Sequence, residues 1–264
     1  MPPSLNARHF MTSSSAFRLY TITFIGALAA AAHGNVHAQD GATHWGLGVA
    51  GSVSQRPYIG DDNRKRALPL LFIENDWLRV AGAGIDVKLP SAGPVTFDLR
   101  LAYSFDGYKT GDSPILDGMA QRKHSVLGGG VVTWHDPIAD ISFETLADVS
   151  GHSKGLTARL SAEHPFRFGA FELRPRVAAR WMDSKYVDYY YGVRADEATA
   201  ARPVYDAKAA LNLETGVRAS YAFAPHQAAF LDVGTQRLGN EIADSPLVGR
   251  RTLTSVGIGY LYRF

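Results

Sequence analysis

The last eleven residues, 254–264 (TSVGIGYLYRF), constrain the fold more than any other stretch of the chain. Val256, Ile258, Tyr260, Tyr262 and the terminal Phe264 fall on one face of an extended strand. Ser255, Gly257, Gly259 and Arg263 fall on the other, with Leu261 as a large apolar exception. A period of two marks a strand with one face against an apolar medium and the other against something polar. Chain ends usually lie frayed in water, yet this one stops on an aromatic residue without a polar tail. It suits either the closing strand of a soluble sheet or the last strand of a transmembrane barrel. In the barrel it pairs with the first strand and turns its aromatics to the membrane interface.

The opposite end favours the barrel. Residues 1–18 carry Arg8 and Arg18 and no acidic residue, and residues 19–32 (LYTITFIGALAAAA) form a 14-residue apolar core. Small residues follow at 36–38 (VHA). This is the pattern of a secretory signal peptide, with cleavage predicted after Ala38. The core is shorter than the roughly 20 residues of a spanning helix. The sequence holds no cysteine, which excludes lipid attachment to a thiol, disulfides and thiolate metal sites. With the two leader arginines removed from 27 Lys+Arg, residues 39–264 balance 25 cations against 25 Asp+Glu. Nothing in that balance points to nucleic acid as a partner. Residues 39–264 read as one domain.

Strands follow one another along this domain. Residues 44–54 alternate with glycines, 55–66 read as a polar connection, and 67–76 with 78–89 read as a hairpin. Val95, Phe97, Leu99 and Leu101 then alternate with Thr96, Asp98, Arg100 and Ala102. Further runs place Glu144, Arg159, Glu172, Arg174, Arg176, Arg180, Glu214 and Arg218 on polar faces, each opposite an apolar one. Runs of 10 to 13 residues exceed the soluble mode of about 5–6 and match tilted membrane strands of about 9–11. The expected fold is all-β: a single antiparallel transmembrane β-barrel of 10 or 12 strands, closed by the strand ending at Phe264. Those charged residues are its expected lumen-facing groups. Eleven runs are visible, an odd number, so either 185–193 is a strand or the first hairpin is misread. No stretch shows helical periodicity. Short links at 134–137, 165–169 and 223–226 are expected in the periplasm; long ones at 106–120, 183–207 and 239–250 are expected outside.

Chemistry-bearing motifs are sparse. Asp148, Ser150 and His152 place acid, hydroxyl and imidazole close together, as nucleophilic catalysis requires; the same residues make a hairpin turn, which is the preferred reading. Asp61, Asp62 and the scattered histidines lack metal-ligand spacing, and no cofactor motif is present. Trp181, Tyr186, Tyr189, Tyr190 and Tyr191 are expected to form an interfacial aromatic girdle.

Taken in order, residues 56–62 (RPYIGDD) with 67–69 (ALP), 148–152 (DVSGH) with Gly155, 181–183 (WMD), Tyr186 with 190–193 (YYGV), 203–205 (PVY), 243–246 (ADSP) and 257–264 resemble the MipA/OmpV family of Gram-negative outer-membrane proteins. The chain departs from that family at 200–203 (AARP), where a Ser-Gly tends to precede the proline. The resemblance implies an outer-membrane barrel without enzymatic activity or cofactor. Its partners would be outer-membrane lipid and lipopolysaccharide, and the barrel-assembly machinery, which reads a terminal strand such as Val256, Ile258, Tyr260, Tyr262 and Phe264. Scaffolding of a periplasmic murein transglycosylase and synthase is the function it suggests, with a porin-like channel, an adhesin or a stress-response barrel as alternatives.

Overall fold

A computed structural model describes residues 43–264 apart from Asp62. The leader, its cleavage point and Asp62 therefore lie outside the described residues. The strands are β1 (His44–Gln55), β2 (Asn63–Glu74), β3 (Leu78–Ala81), β4 (Gly84–Ala92), β5 (Val95–Ser104), β6 (Ser125–His135) and β7 (Asp140–Asp148). They continue as β8 (Leu156–Glu163), β9 (Phe166–Phe168), β10 (Phe171–Met182), β11 (Ala210–Ala224), β12 (Gln227–Arg237) and β13 (Thr252–Arg263).

Apart from β8 and β9, each strand pairs antiparallel with its neighbours in sequence, β13 pairs with β1, and β10 pairs with β11, so the sheet closes on itself. β8 and β9 both pair with β10 and make one stave interrupted at His164 and Pro165. The barrel accordingly has twelve staves. The strand β9 lies where the sequence suggested a link over 165–169; the turn is only Gly169 and Ala170.

Exposure sets the orientation of the faces. Leu99, Leu101, Phe143, Leu160, Val177, Leu213 and Ile258 are exposed, whereas Asp98, Ala102, Leu146, Ala178 and Asn212 are buried. The apolar face is the outer one, as a barrel in lipid requires. Trp45 of β1 stacks on Phe264 with ring centroids 3.9 Å apart, joining the two ends of the barrel chain at the rim.

Three expectations are corrected. The run 78–89 is two strands, because Gly82 adopts φ 59° and turns the chain between β3 and β4. Arg79 and Asp86 can thus both face inward, which a single strand would forbid. That turn, and not a strand at 185–193, supplies the missing stave. Secondly, the chain is not β throughout: Ser184–Tyr191 forms helix α1 and Asn240–Ala243 a single helical turn, α2. β2 also begins earlier than expected, at Asn63. On the β2 side β3 pairs only with Phe72, Ile73 and Glu74, so, among the described residues, 63–71 of β2 have β1 on one side and no strand on the other. Among these, Pro69 carries no N–H and is a residue tolerated on a strand edge.

Candidate functional site

The long connections fold into the barrel mouth and fill it. α1 starts because the Asp183 carboxylate accepts the Tyr186 N–H at 2.8 Å, a side-chain cap of the first turn. Its buried residues Tyr186, Val187, Tyr190 and Tyr191 recur at one helical face. They pack against the inward ends of the strands at Ala102, Leu127, Leu146, Met182 and Ala210, and against Tyr58, Leu116, Ile242 and Leu247 from other loops. The aromatic girdle expected from the tyrosines is therefore corrected: Tyr186 and Tyr190 are 1% and 0% exposed, inside the mouth, while Trp181 stands on the outer face. Gly155 makes this docking possible, since a Cβ there would lie 2.6 Å from the Tyr186 backbone nitrogen.

Polar groups in the plug are joined to one another. Tyr186 Oη donates to Asp106, Ser104 Oγ donates to the same carboxylate at 3.0 Å, and Arg180 lies 3.6 Å from it. Burial pushes the Asp106 carboxyl up, but the charge of Arg180 and the hydrogen bonds from Tyr186 and Ser104 outweigh it and hold it below the usual range. Burial, reinforced by Asp106, keeps the Tyr186 phenol protonated well above its ordinary value. Farther out, Arg122 grips Glu197 with two hydrogen bonds of 2.8 and 2.7 Å, and both side chains are almost wholly buried. Glu197 also accepts the backbone N–H groups of Ala120 and Arg194 at 2.9 and 3.2 Å. Burial raises the Glu197 carboxyl, yet Arg122 and these N–H groups bring it down to about 2. Arg202, in the loop that departs from the family pattern, donates to the carbonyls of Glu197, Asp117 and Ile115 and ties its own loop to the one over 105–124.

Below the plug the lumen is crossed by ion pairs. Arg100 reaches Asp86 at 2.7 Å and Glu144 at 2.6 Å, and Arg79 lies 3.8 Å from Asp98. Arg159 meets Glu214 at 3.2 Å, and Arg174 meets Glu163 and Glu172 at 2.7 and 3.1 Å. Arg176 and Arg218 share the fully buried Asp232 at 2.8 and 2.9 Å. Arg180 belongs instead to the plug. The residues singled out from alternation thus fall into separate clusters rather than one lining. Asp86, Asp232, Arg122 and Glu197 were not among them. Asp232 alternates with Leu231 and Val233, a signal present in the sequence; the loop pair Arg122 and Glu197 has no periodic signal at all.

The terminal-strand residues Val256, Ile258, Tyr262 and Phe264 are exposed on the outer wall and Tyr260 is half-buried there. The Asp148 segment is a locked turn. Asp148 accepts from Ser125, Ser150 and Ser153 hydroxyls and from the backbone N–H of Ser150, Gly151, Ser153 and Lys154. Ser150 commits its proton to that carboxylate. His152 Nδ1 lies 2.7 Å from the His124 carbonyl, which can only accept, so Nδ1 carries the proton and cannot act as base for Ser150 3.2 Å away. No group of metal-ligating side chains occurs among the described residues.

The sequence matches the family model described as MltA-interacting protein MipA over residues 47–264. It is similar to the putative outer membrane protein YiaT of Escherichia coli K12, at 24% identity over 84% of this chain and 92% of that one. It is also similar to the MltA-interacting protein of E. coli K12, at 21% identity over 91% and 97% respectively. Outer membrane protein Omp26La of Vibrio anguillarum is 28% identical over 88% of this chain and 90% of its own.

Proposed function

This chain belongs to the MltA-interacting protein MipA family of outer-membrane barrels, and from that premise we propose that it is a closed scaffold which brings a lytic murein transglycosylase and a murein synthase together at the outer membrane. The observation that carries the reading is the filled mouth. With Tyr186, Tyr190 and the Arg122–Glu197 pair buried in it, and Arg100, Arg159, Arg174, Arg176 and Arg218 held by carboxylates, the barrel is built to stay shut. A porin-like role would call for unpaired cations along an open path. Scaffolding needs no catalytic group.

The docking surface in this reading is the periplasmic rim. Trp77, Ile138 and Phe168 are 59%, 82% and 64% exposed on or beside its short turns, and apolar tips of this kind supply the anchors of protein contacts. The outer face of the terminal strand, Val256 to Phe264, would serve assembly, and the outer wall would meet lipid and lipopolysaccharide. Capture of a purified lytic murein transglycosylase by the detergent-solubilised protein tests the proposal. Binding that falls about tenfold when Trp77, Ile138 and Phe168 are changed together supports it. Absence of binding at micromolar concentration, or equal binding by the triple variant, sinks it.

A further inference from the structure

The lumenal and mouth arginines described above are answered by carboxylates or carbonyls, but Arg66 on the inner face of β2 is not. Its side chain is 9% exposed, its Nε is buried without a hydrogen-bond partner, and its guanidinium lies over the Phe105 ring at 5.8 Å. Directly across the strand pair stands Ser52 of β1, 8% exposed, whose Oγ is likewise buried and unpartnered. Opposed residues on adjacent strands hold their Cβ atoms about 4.5–5.5 Å apart. Two orphaned donors thus stand side by side on the same inner wall.

Among the described residues, the acids in the neighbourhood are already engaged. Arg56 takes Asp61 at 3.3 Å, Arg64 takes Asp112 at 3.0 Å and reaches Asp61 at 3.5 Å, and Asp106 is held by Tyr186, Ser104 and Arg180. Arg56 and Arg64 are near enough to repel Arg66, and Asp106 and Asp61 offset that repulsion without a direct contact. A buried guanidinium with an unsatisfied Nε–H beside two further cations is costly unless an anion completes it.

We propose that Ser52 and Arg66 form an internal oxyanion site that takes a phosphate group. A phosphate has acceptor oxygens for the Arg66 Nε–H and the Ser52 hydroxyl at once, and enough charge to face Arg56 and Arg64 as well. The group arrives from one of two sources. It is the headgroup of a lipid entering at the edge of β2, where residues 63–71 lack a second strand among the described residues, or a phosphate dissolved in water.

The test uses the protein purified from outer membranes in maltoside and moved to phosphate-free buffer. Its melting is followed by the loss of the compact band on electrophoresis. Inorganic phosphate is added in one arm and micelles doped with dimyristoyl phosphatidic acid in the other. A ligand bound by the folded state alone raises the melting temperature. The native protein is expected to gain several degrees in at least one arm, Arg66→Met to gain nothing, and Ser52→Ala to need about tenfold more ligand. Without phosphate, Arg66→Met should melt no lower than native, because it removes a buried charge whose Nε–H has no partner. A response to inorganic phosphate identifies a soluble source, and a response to the doped micelles alone identifies a lipid. If Arg66→Met does not fold, Arg66→Lys, which keeps the charge and loses the Nε donor, should respond more weakly than native. No rise in either arm, or an equal rise in the Arg66 variant, overturns the proposal.

Discussion

The mouth of the barrel and its middle both bury arginines against carboxylates, but they do so with different scaffolding around the pair. In the middle, Arg176, Arg218 and Asp232 come from three staves, and each residue is placed by strand register alone. Arg100 similarly bridges Asp86 on β4 and Glu144 on β7. At the mouth, Arg122 and Glu197 come from two loops and are fixed by backbone groups as much as by each other. They sit beside an apolar core of tyrosine, leucine and isoleucine. The middle pairs brace the wall of a barrel that the sheet already defines. The mouth pairs hold loops that no ladder of strands would otherwise hold.

Breaking each region should therefore have different consequences. Glu197→Ala leaves Arg122 buried without its carboxylate. The expected loss is about 3–5 kcal/mol, concentrated in the plug, so that protease cuts the loops over 106–124 and 192–207 while the barrel band survives. Asp232→Asn removes the charge that Arg176 and Arg218 share in the wall and should cost about 3 kcal/mol. Here the whole barrel should melt lower, with the loops no easier to cleave. Gly155→Ala presses a methyl group on Tyr186 and should cost about 1–3 kcal/mol, again read as loop cleavage rather than as barrel melting.

Acid sharpens the same contrast. Glu197 titrates near 2 when folded against an ordinary 4.5, so its stabilisation is complete above about 4.5 and drains away as pH falls towards 2. Loop cleavage by an acid-active protease should rise across that window in the native protein and stay flat in Glu197→Gln. The smallest effect is expected at Asp244 and Arg251, an exposed pair 2.5 Å apart, where Asp244→Ala should change melting by less than about 0.5 kcal/mol.

The wall was far more legible than the plug. Alternation on β5, β7, β10 and β11 assigns both faces because side chains in a strand point alternately in and out. Even the missing stave left a trace. Leu78 and Val80 are apolar at even positions, whereas Ile85, Val87 and Leu89 are apolar at odd ones, and a change of parity demands a turn or a bulge between them. The helix α1 hid because its four tyrosines lie within eight residues, too short a span for periodicity to speak, and because aromatics near a membrane also suit its interface. Glu197 and Arg122 lie 75 residues apart in loops, and only the closed fold brings them together. Arg66 was hidden differently: it lay in a stretch read as a polar connection, where a basic residue needs no explanation.

The most direct test of a closed barrel is single-channel recording of the protein in planar bilayers, with insertion verified by its heat-modifiable band. The account predicts silence from the native chain, and brief, irregular openings from Glu197→Ala as its plug loosens. Stable steps of reproducible size from the native chain would contradict it.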